Sequence, residues 1–209
     1  FNIFQTIPGA RAFFYKGMLK DINVNFYGYK NEVKLEPPNY PMDQRGLTGC
    51  LSLIHMNVKN ISIKSNNSSC EDAVNLINVE GSLNEINIID SYKDALDIDF
   101  SKVGIDYINI VSAGNDCVDL SKGNYKLNRI NLLNCEDKGL SVGEKSFLQL
   151  NEIIAEKSII GISTKDSSIV TVENINIKGS ERCLETKRKK QEFSGGILNI
   201  KNLNCHNSI

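Results

Sequence analysis

Tryptophan is absent from this 209-residue chain, proline occurs four times and histidine twice. The two histidines, His55 and His206, stand far apart. Neither lies beside a Ser or Cys arrangement of the kind a nucleophilic triad needs. Six cysteines at 50, 70, 117, 135, 183 and 205 form no C-x-x-C, and no His sits at zinc-finger spacing. A zinc module or a thioredoxin-like redox centre is therefore not indicated. The scatter favours reduced, packing thiols. A bridge between Cys50 and Cys70 is the main alternative. No apolar run approaches the roughly 18 residues of a membrane span. The net charge is −1, so no global field favours nucleic acid or an anionic membrane as a partner. The opening FNIFQTIPGA has no signal-peptide form. The chain reads as a fragment, a module of something larger, with a cell-surface or extracellular setting slightly favoured.

Hydrophobic residues make up 41%, enough for a buried core. They are periodic. DAVNLI, DALDID, DCVDLS, KGLSVG, IGISTK and RCLETK begin at 72, 94, 116, 138, 160 and 182, each step being 22 residues. The second column is small (Ala73, Ala95, Cys117, Gly139, Gly161, Cys183). The third is apolar (Val74, Leu96, Val118, Leu140, Ile162, Leu184). The fourth is polar (Asn75, Asp97, Asp119, Ser141, Ser163, Glu185), and the fifth is apolar or β-branched (Leu76, Ile98, Leu120, Val142, Thr164, Thr186). Such alternation is that of a strand with one buried face.

A second signature, L-x-x-I-x-I, recurs at Leu83/Ile86/Ile88, Ile105/Ile108/Ile110, Leu127/Ile130/Leu132 and Val172/Ile175/Ile177. A weaker copy stands at Leu150/Ile153, with earlier ones at Val58/Ile61/Ile63 and Leu19/Ile22/Val24. Gly, Asn, Asp and Ser lie between strands, as tight turns require. A coil this short cannot enclose a core alone, but stacked coils can. The expected fold is all-β: a right-handed parallel β-helix of about seven to eight coils, roughly 35 Å long at the inter-strand spacing. It forms a single domain over 1–209, with inserted loops near 30–50 and 187–196. The rival is a leucine-rich repeat, which would carry a helix or a spaced Leu set on its convex side.

The runs GNDCVDLS, EDKGLSVGEKS and IIGISTKDSSIVTVENINIKGS, followed by KRKKQEFSGG, resemble bacterial right-handed parallel β-helix modules of the pectin-lyase-like superfamily over roughly 49–205. The resemblance implies the fold. It also implies a setting in which related modules act on acidic polysaccharides, form phage tailspikes, or have no known activity. The Asp–Pro–His–Glu tetrad of alginate epimerases is absent, and the polygalacturonase pattern of several Asp with a His is incomplete.

Asp97 and Asp119 share one outward column on adjacent rungs, and Asp94 and Asp116 share another. Carboxylates so close either raise a pKa or hold a cation. Asp97 and Asp119 are thus candidate catalytic residues for glycosidic cleavage, or oxygen ligands of a Ca²⁺ ion. The structural alternative is a turn ladder in which each Asp bonds backbone N–H groups. Asp94, Asp116, Lys138, Arg182 and Glu185 are candidate ligand-binding residues. Lys138 above Asp116 also suits an ordinary ion pair. The basic run Lys187–Lys190 lies between Glu185 and Glu192, which disfavours nucleic acid and leaves an anionic glycan or a neighbouring domain of the chain as its contact. GEKS at 143–146 lacks the spacing and the following helix of a phosphate-binding loop. Asn87, Asn109, Asn131 and Asn176 are expected to stack as a hydrogen-bonding amide ladder. Function is expected to be that of an accessory or glycan-binding module of a larger protein, with an acidic-glycan lyase, hydrolase or epimerase and a structural spacer as alternatives.

Overall fold

The structure is a computed structural model that describes residues 1–29 and 41–207. It is an all-β parallel solenoid of about eight turns with about 22 residues per turn. The strands are β1 (Asn2–Phe4), β2 (Ala12–Lys20), β3 (Asn23–Tyr27), β4 (Gly49–Ser68), β5 (Asp72–Ile77), β6 (Glu80–Ser91) and β7 (Asp94–Asp99), then β8 (Lys102–Ala113), β9 (Val118–Ser121), β10 (Asn124–Gly143), β11 (Phe147–Lys165), β12 (Ile169–Lys178), β13 (Arg182–Lys187) and β14 (Ile197–His206). Every pairing between them is parallel. No helix occurs among the described residues, so the leucine-rich-repeat alternative falls.

The columns seen in the sequence are the ladders of the fold. Leu51, Val74, Leu96, Val118, Leu140 and Ile162 pair rung upon rung, and each is fully buried. Ile61–Ile63, Ile86–Ile88, Ile108–Ile110 and Ile175–Ile177 form the opposite wall of the same core. The earliest copy is in register with the second, Leu19 against Val58 and Val24 against Ile63, but the second is shifted against the third, with Val58 against Gly81, Ile61 against Leu83 and Ile63 against Ile86. Burying these branched side chains against one another supplies the stability that a lone coil cannot.

Corners are made by single residues in the left-handed region. Asn67, Asp90, Ser112, Asn134 and Lys157 form one such line, and His55, Asn78, Phe100 and Lys122 another. Short polar side chains tolerate that conformation best, which explains the Asn and Asp between strands. The small second column has a steric cause. A Cβ on Gly139 would stand 2.7 Å from the Gly161 carbonyl oxygen, and one on Gly161 would stand 2.6 Å from that of Cys183.

The loop expected at 187–196 is present between β13 and β14, beginning after Lys187. Of the loop expected at 30–50, residues 30–40 lie outside the described residues, and Gly49 already begins β4. The expectation of reduced thiols is corrected, and the alternative Cys50–Cys70 bridge is present. All six are paired, as Cys50–Cys70, Cys117–Cys135 and Cys183–Cys205, over Cα separations of 5.3, 5.4 and 6.3 Å. One coil of chain returns each cysteine to within reach of its partner, so separations of 18 to 22 residues become disulfide distances. The amide ladder forms in part. Asn109 donates to Asn87 at 3.1 Å, while Asn131 donates instead to the Tyr107 hydroxyl. Two further amide pairs form on neighbouring columns, Asn151 donating to Asn128 at 2.8 Å and Asn202 donating to Asn174 at 2.9 Å.

Candidate functional site

The strands β5, β7 and β9, with the last residues of β10 and β11, make one outer sheet face. Its central column is the polar one: Ser52, Asn75, Asp97, Asp119, Ser141, Ser163 and Glu185 are successive register partners. Asp97 and Asp119 are therefore nearest neighbours across a rung, as the alignment implied. Along one side runs Asp72–Asp94, continued by Asp116 and Lys138. Along the other run Asp99, Ser121, Gly143 and Lys165.

The two acidic columns do different work. Asp94 accepts the backbone N–H of Asp116 at 2.9 Å and the Asn115 side chain at 2.6 Å, and Asp116 accepts the backbone N–H of Lys138 at 3.0 Å. These two carboxylates are a turn ladder, each tying down the next rung. Lys138 adds an ion pair to Asp116 at 3.1 Å and one to Asp137. Lys138 and Asp116 are both largely buried, so the pair is more than the exposed one the sequence suggested. Asp97 and Asp119 have no such backbone partners among the described contacts. Asp97 accepts from Asn75 Nδ2 at 3.1 Å. Asp119 stands 3.9 Å from Lys165 Nζ.

Crowding moves the acids. Burial, then repulsion from Asp72, Asp99, Asp119 and Asp94, holds the Asp97 carboxyl well above the usual range. Burial pushes Asp72 up to about 7, against a hydrogen bond from Thr48. It pushes Asp116 up to about 6 against the pull of Lys138. Asp94 and Asp99 are raised by the same cause. Tyr125, in the core behind this face, satisfies its hydroxyl by donating to the carbonyls of Ile98 and Ser121.

Among the described residues, buried oxygens without a hydrogen-bond partner include four of this face, Ser52 Oγ, Asp72 Oδ2, Asn75 Oδ1 and Asp119 Oδ1, and four elsewhere, on Ser69, Asn131, Thr164 and Asp166. Asn75 is 1% exposed and Asp72 3%. Among the described residues, no group of three or more His, Cys, Asp or Glu is arranged to hold a metal ion. Asp97 and Asp119 are adjacent, but a Ca²⁺ cage does not close around them.

Lys165 belongs to no motif that marks it in the sequence. It is 6% exposed and donates to Ser141 Oγ at 2.7 Å. Its stem crosses the rung below over Gly143, where an added Cβ would lie 2.9 Å from Lys165 Cε. The signal was the column Ser121–Gly143–Lys165, a glycine directly under a lysine. Arg182 and Glu185 lie beyond, at the C-terminal end of the face, and pair with each other at 2.7 Å. Glu185 also meets Lys187 at 2.7 Å and Ser163 at 2.9 Å. Burial raises its carboxyl, but these partners outweigh burial and hold it below the ordinary glutamate range. Arg182 and Glu185 thus satisfy one another apart from the Asp97–Asp119 pair.

Two grooves lie on other faces. One of about 550 Å³ is bordered by Lys102, Lys126, Phe147 and Gln149. The other, of about 630 Å³, is bordered by Phe4 and Tyr27, whose rings stack at 4.9 Å, with Asn66 and Asn67. No helix among the described residues is long and apolar enough to cross a membrane. No family model, no curated protein and no solved structure matches the chain.

Proposed function

We propose that this chain is a carbohydrate-binding β-solenoid module, accessory to a larger protein, with the Asn75–Asp97–Asp119–Ser141 face as its binding surface. The observation that carries the reading is the set of buried acceptor oxygens without a partner on that face. A buried polar group without a hydrogen bond costs about 1–3 kcal/mol, and four on one face call for donors. Saccharides supply hydroxyl donors along an extended chain. A sheet whose backbone groups are spent on neighbouring rungs reads a ligand through side chains alone. The resemblance of GNDCVDLS and EDKGLSVGEKS to pectin-lyase-like modules supports a polysaccharide setting, and a polar ladder held on rigid rungs suits it. Three disulfides fit folding in an oxidising, extracytoplasmic setting. Affinity electrophoresis and a glycan array test the reading. Retention by one class of glycan, lost on Asp97→Asn or Asn75→Ala, is the expected result. Failure to retain any glycan removes it and leaves the spacer reading.

One observation favours catalysis as the second reading. Burial and the neighbouring acids hold the Asp97 carboxyl well above the ordinary aspartate range beside a second carboxyl, the direction of shift a general acid needs. If so, Asp97→Asn and Asp119→Asn abolish depolymerisation of a uronic-acid polymer, and undiminished turnover in both variants ends that reading.

A further inference from the structure

The unpartnered atoms share one property. Asn75 Oδ1 only accepts hydrogen bonds, Asp72 Oδ2 and Asp119 Oδ1 accept whenever their carboxyls are ionised, and Ser52 Oγ accepts as well as donates. Asn75 belongs to the same outward column as Asp97 and Asp119, and its Nδ2 is already spent on Asp97. What the row lacks is donors.

It also lacks positive charge along most of its length. Asp72, Asp94, Asp97, Asp99, Asp116 and Asp119 occupy three consecutive rungs, with Glu71 at one side. The cations around them are committed. Arg11 gives its guanidinium to the carbonyls of Thr48 and Pro41. Lys93 pairs with Glu71 at 3.4 Å. Lys138 serves Asp116 and Asp137. Lys165, at the far end of the row, donates to Ser141 and stands 3.9 Å from Asp119 Oδ2, leaving Asp119 Oδ1 without a partner. Glu144, the remaining acid near this edge, is paired with Lys190. The carboxyls are spread at the rung repeat, about 4.8 Å, and do not converge as a metal cage does, in keeping with the lack of a three-residue metal group among the described residues.

We infer that this row reads an extended ligand carrying ammonium groups, and that the module's glycan is a hexosamine chain with free amines. The inference rests on the carbohydrate-binding reading above. An ammonium brings three donors and a positive charge to a place with spare acceptors and mutual repulsion. A uronic-acid chain brings like charge to the same place. The burial that raises Asp97 and Asp72 supports the point, since a bound cation stabilises their ionised forms.

The test is calorimetric titration of the whole chain near neutral pH with four tetramers: glucosamine, N-acetylglucosamine, a uronic acid, and lysine. The glucosamine tetramer is expected to bind, with the N-acetylated tetramer at least about tenfold weaker, equivalent to about 1.4 kcal/mol. Asp97→Asn and Asp119→Asn, which are near-isosteric, are expected to weaken it about tenfold each. Lys126→Ala, on another face, is expected to leave it unchanged, and thermal melts confirm folding of each variant. Equal binding of the N-acetylated tetramer, or preference for the uronic one, overturns the amine inference and leaves the glycan reading standing. Lysine tetramer binding as tightly as glucosamine overturns the saccharide assignment. Binding of none of the four, with other glycans retained, overturns the amine inference alone. Retention of no glycan at all overturns both.

Discussion

Gly161 has no room for a side chain: an added Cβ would meet the Cys183 carbonyl oxygen and Ile177 Cδ1, each at 2.6 Å. Both neighbours belong to packed rungs, so neither yields cheaply. Gly161→Ala is expected to cost about 1–3 kcal/mol, by overpacking, measured as a lower urea midpoint with an unchanged slope. Gly143 is different. Its steric neighbour is the Lys165 side chain, which can move, so a methyl there disturbs the site more than the fold. Asp97 stands at the same scale. Its carboxyl gains a hydrogen bond from Asn75 but is surrounded by acids. Asp97→Asn is expected to raise the melting temperature at about pH 8 and to lose that gain only below the ordinary aspartate value of about 3.9, where the carboxyl is protonated in the unfolded chain as well. A melting temperature that falls equally at both pH values would show that the carboxylate, not its burial, matters for the fold.

Strands β5, β7 and β9 carry the acidic face as a unit, and their titration is collective. Asp72 rises from 3.8 to about 7 and Asp116 from 3.8 to about 6, with Asp94, Asp97 and Asp99 also raised. In that interval the folded chain binds more protons than the unfolded one. Stability is then greatest below about pH 4 as far as these groups go, and falls as pH rises through about 7. Denaturant midpoints across this range check the slope, and a midpoint that climbs from pH 4 to 7 contradicts it. On the opposite wall, Ile108 is fully buried between Ile86 and Ile130. Ile108→Ala is expected to cost about 2–5 kcal/mol, read from equilibrium unfolding, because rungs above and below cannot close the gap without breaking register.

The whole molecule is a one-dimensional stack, in which each coil is stabilised mainly by its neighbours. Covalent ties therefore matter where they fall. The three disulfides stand near the start, middle and end of the 49–206 region. Each closes a loop of about twenty residues, worth about 3 kcal/mol in the chain-entropy account. Replacing Cys117 and Cys135 together by Ser is expected to lower stability by about that amount, and to do so in the middle of the stack, where cooperativity between the two halves passes. Hydrogen exchange resolved by coil tests this: weakened protection centred on β9 and β10 is expected, and uniform loss would argue against a local effect.

The period of 22, the inward columns and the break at 187–196 were legible because they are local. Strand alternation and turn residues are written along the chain, and a repeat copies its own environment. The Asp97–Asp119 neighbourhood followed from the same arithmetic. What only the tertiary structure decided was contact across rungs. The spacing of one coil suggested the Cys50–Cys70 bridge as an alternative, but the other two pairs had no signal until the coil folded 18 and 22 residues back on themselves. Asp94 and Asp97 look alike in sequence, yet one accepts a backbone N–H from the next rung and the other does not. Lys165 reaches down to Ser141 only because Gly143 leaves the path open. Side-chain direction depends on the neighbour that stacking provides, and that neighbour is a full turn away in the chain.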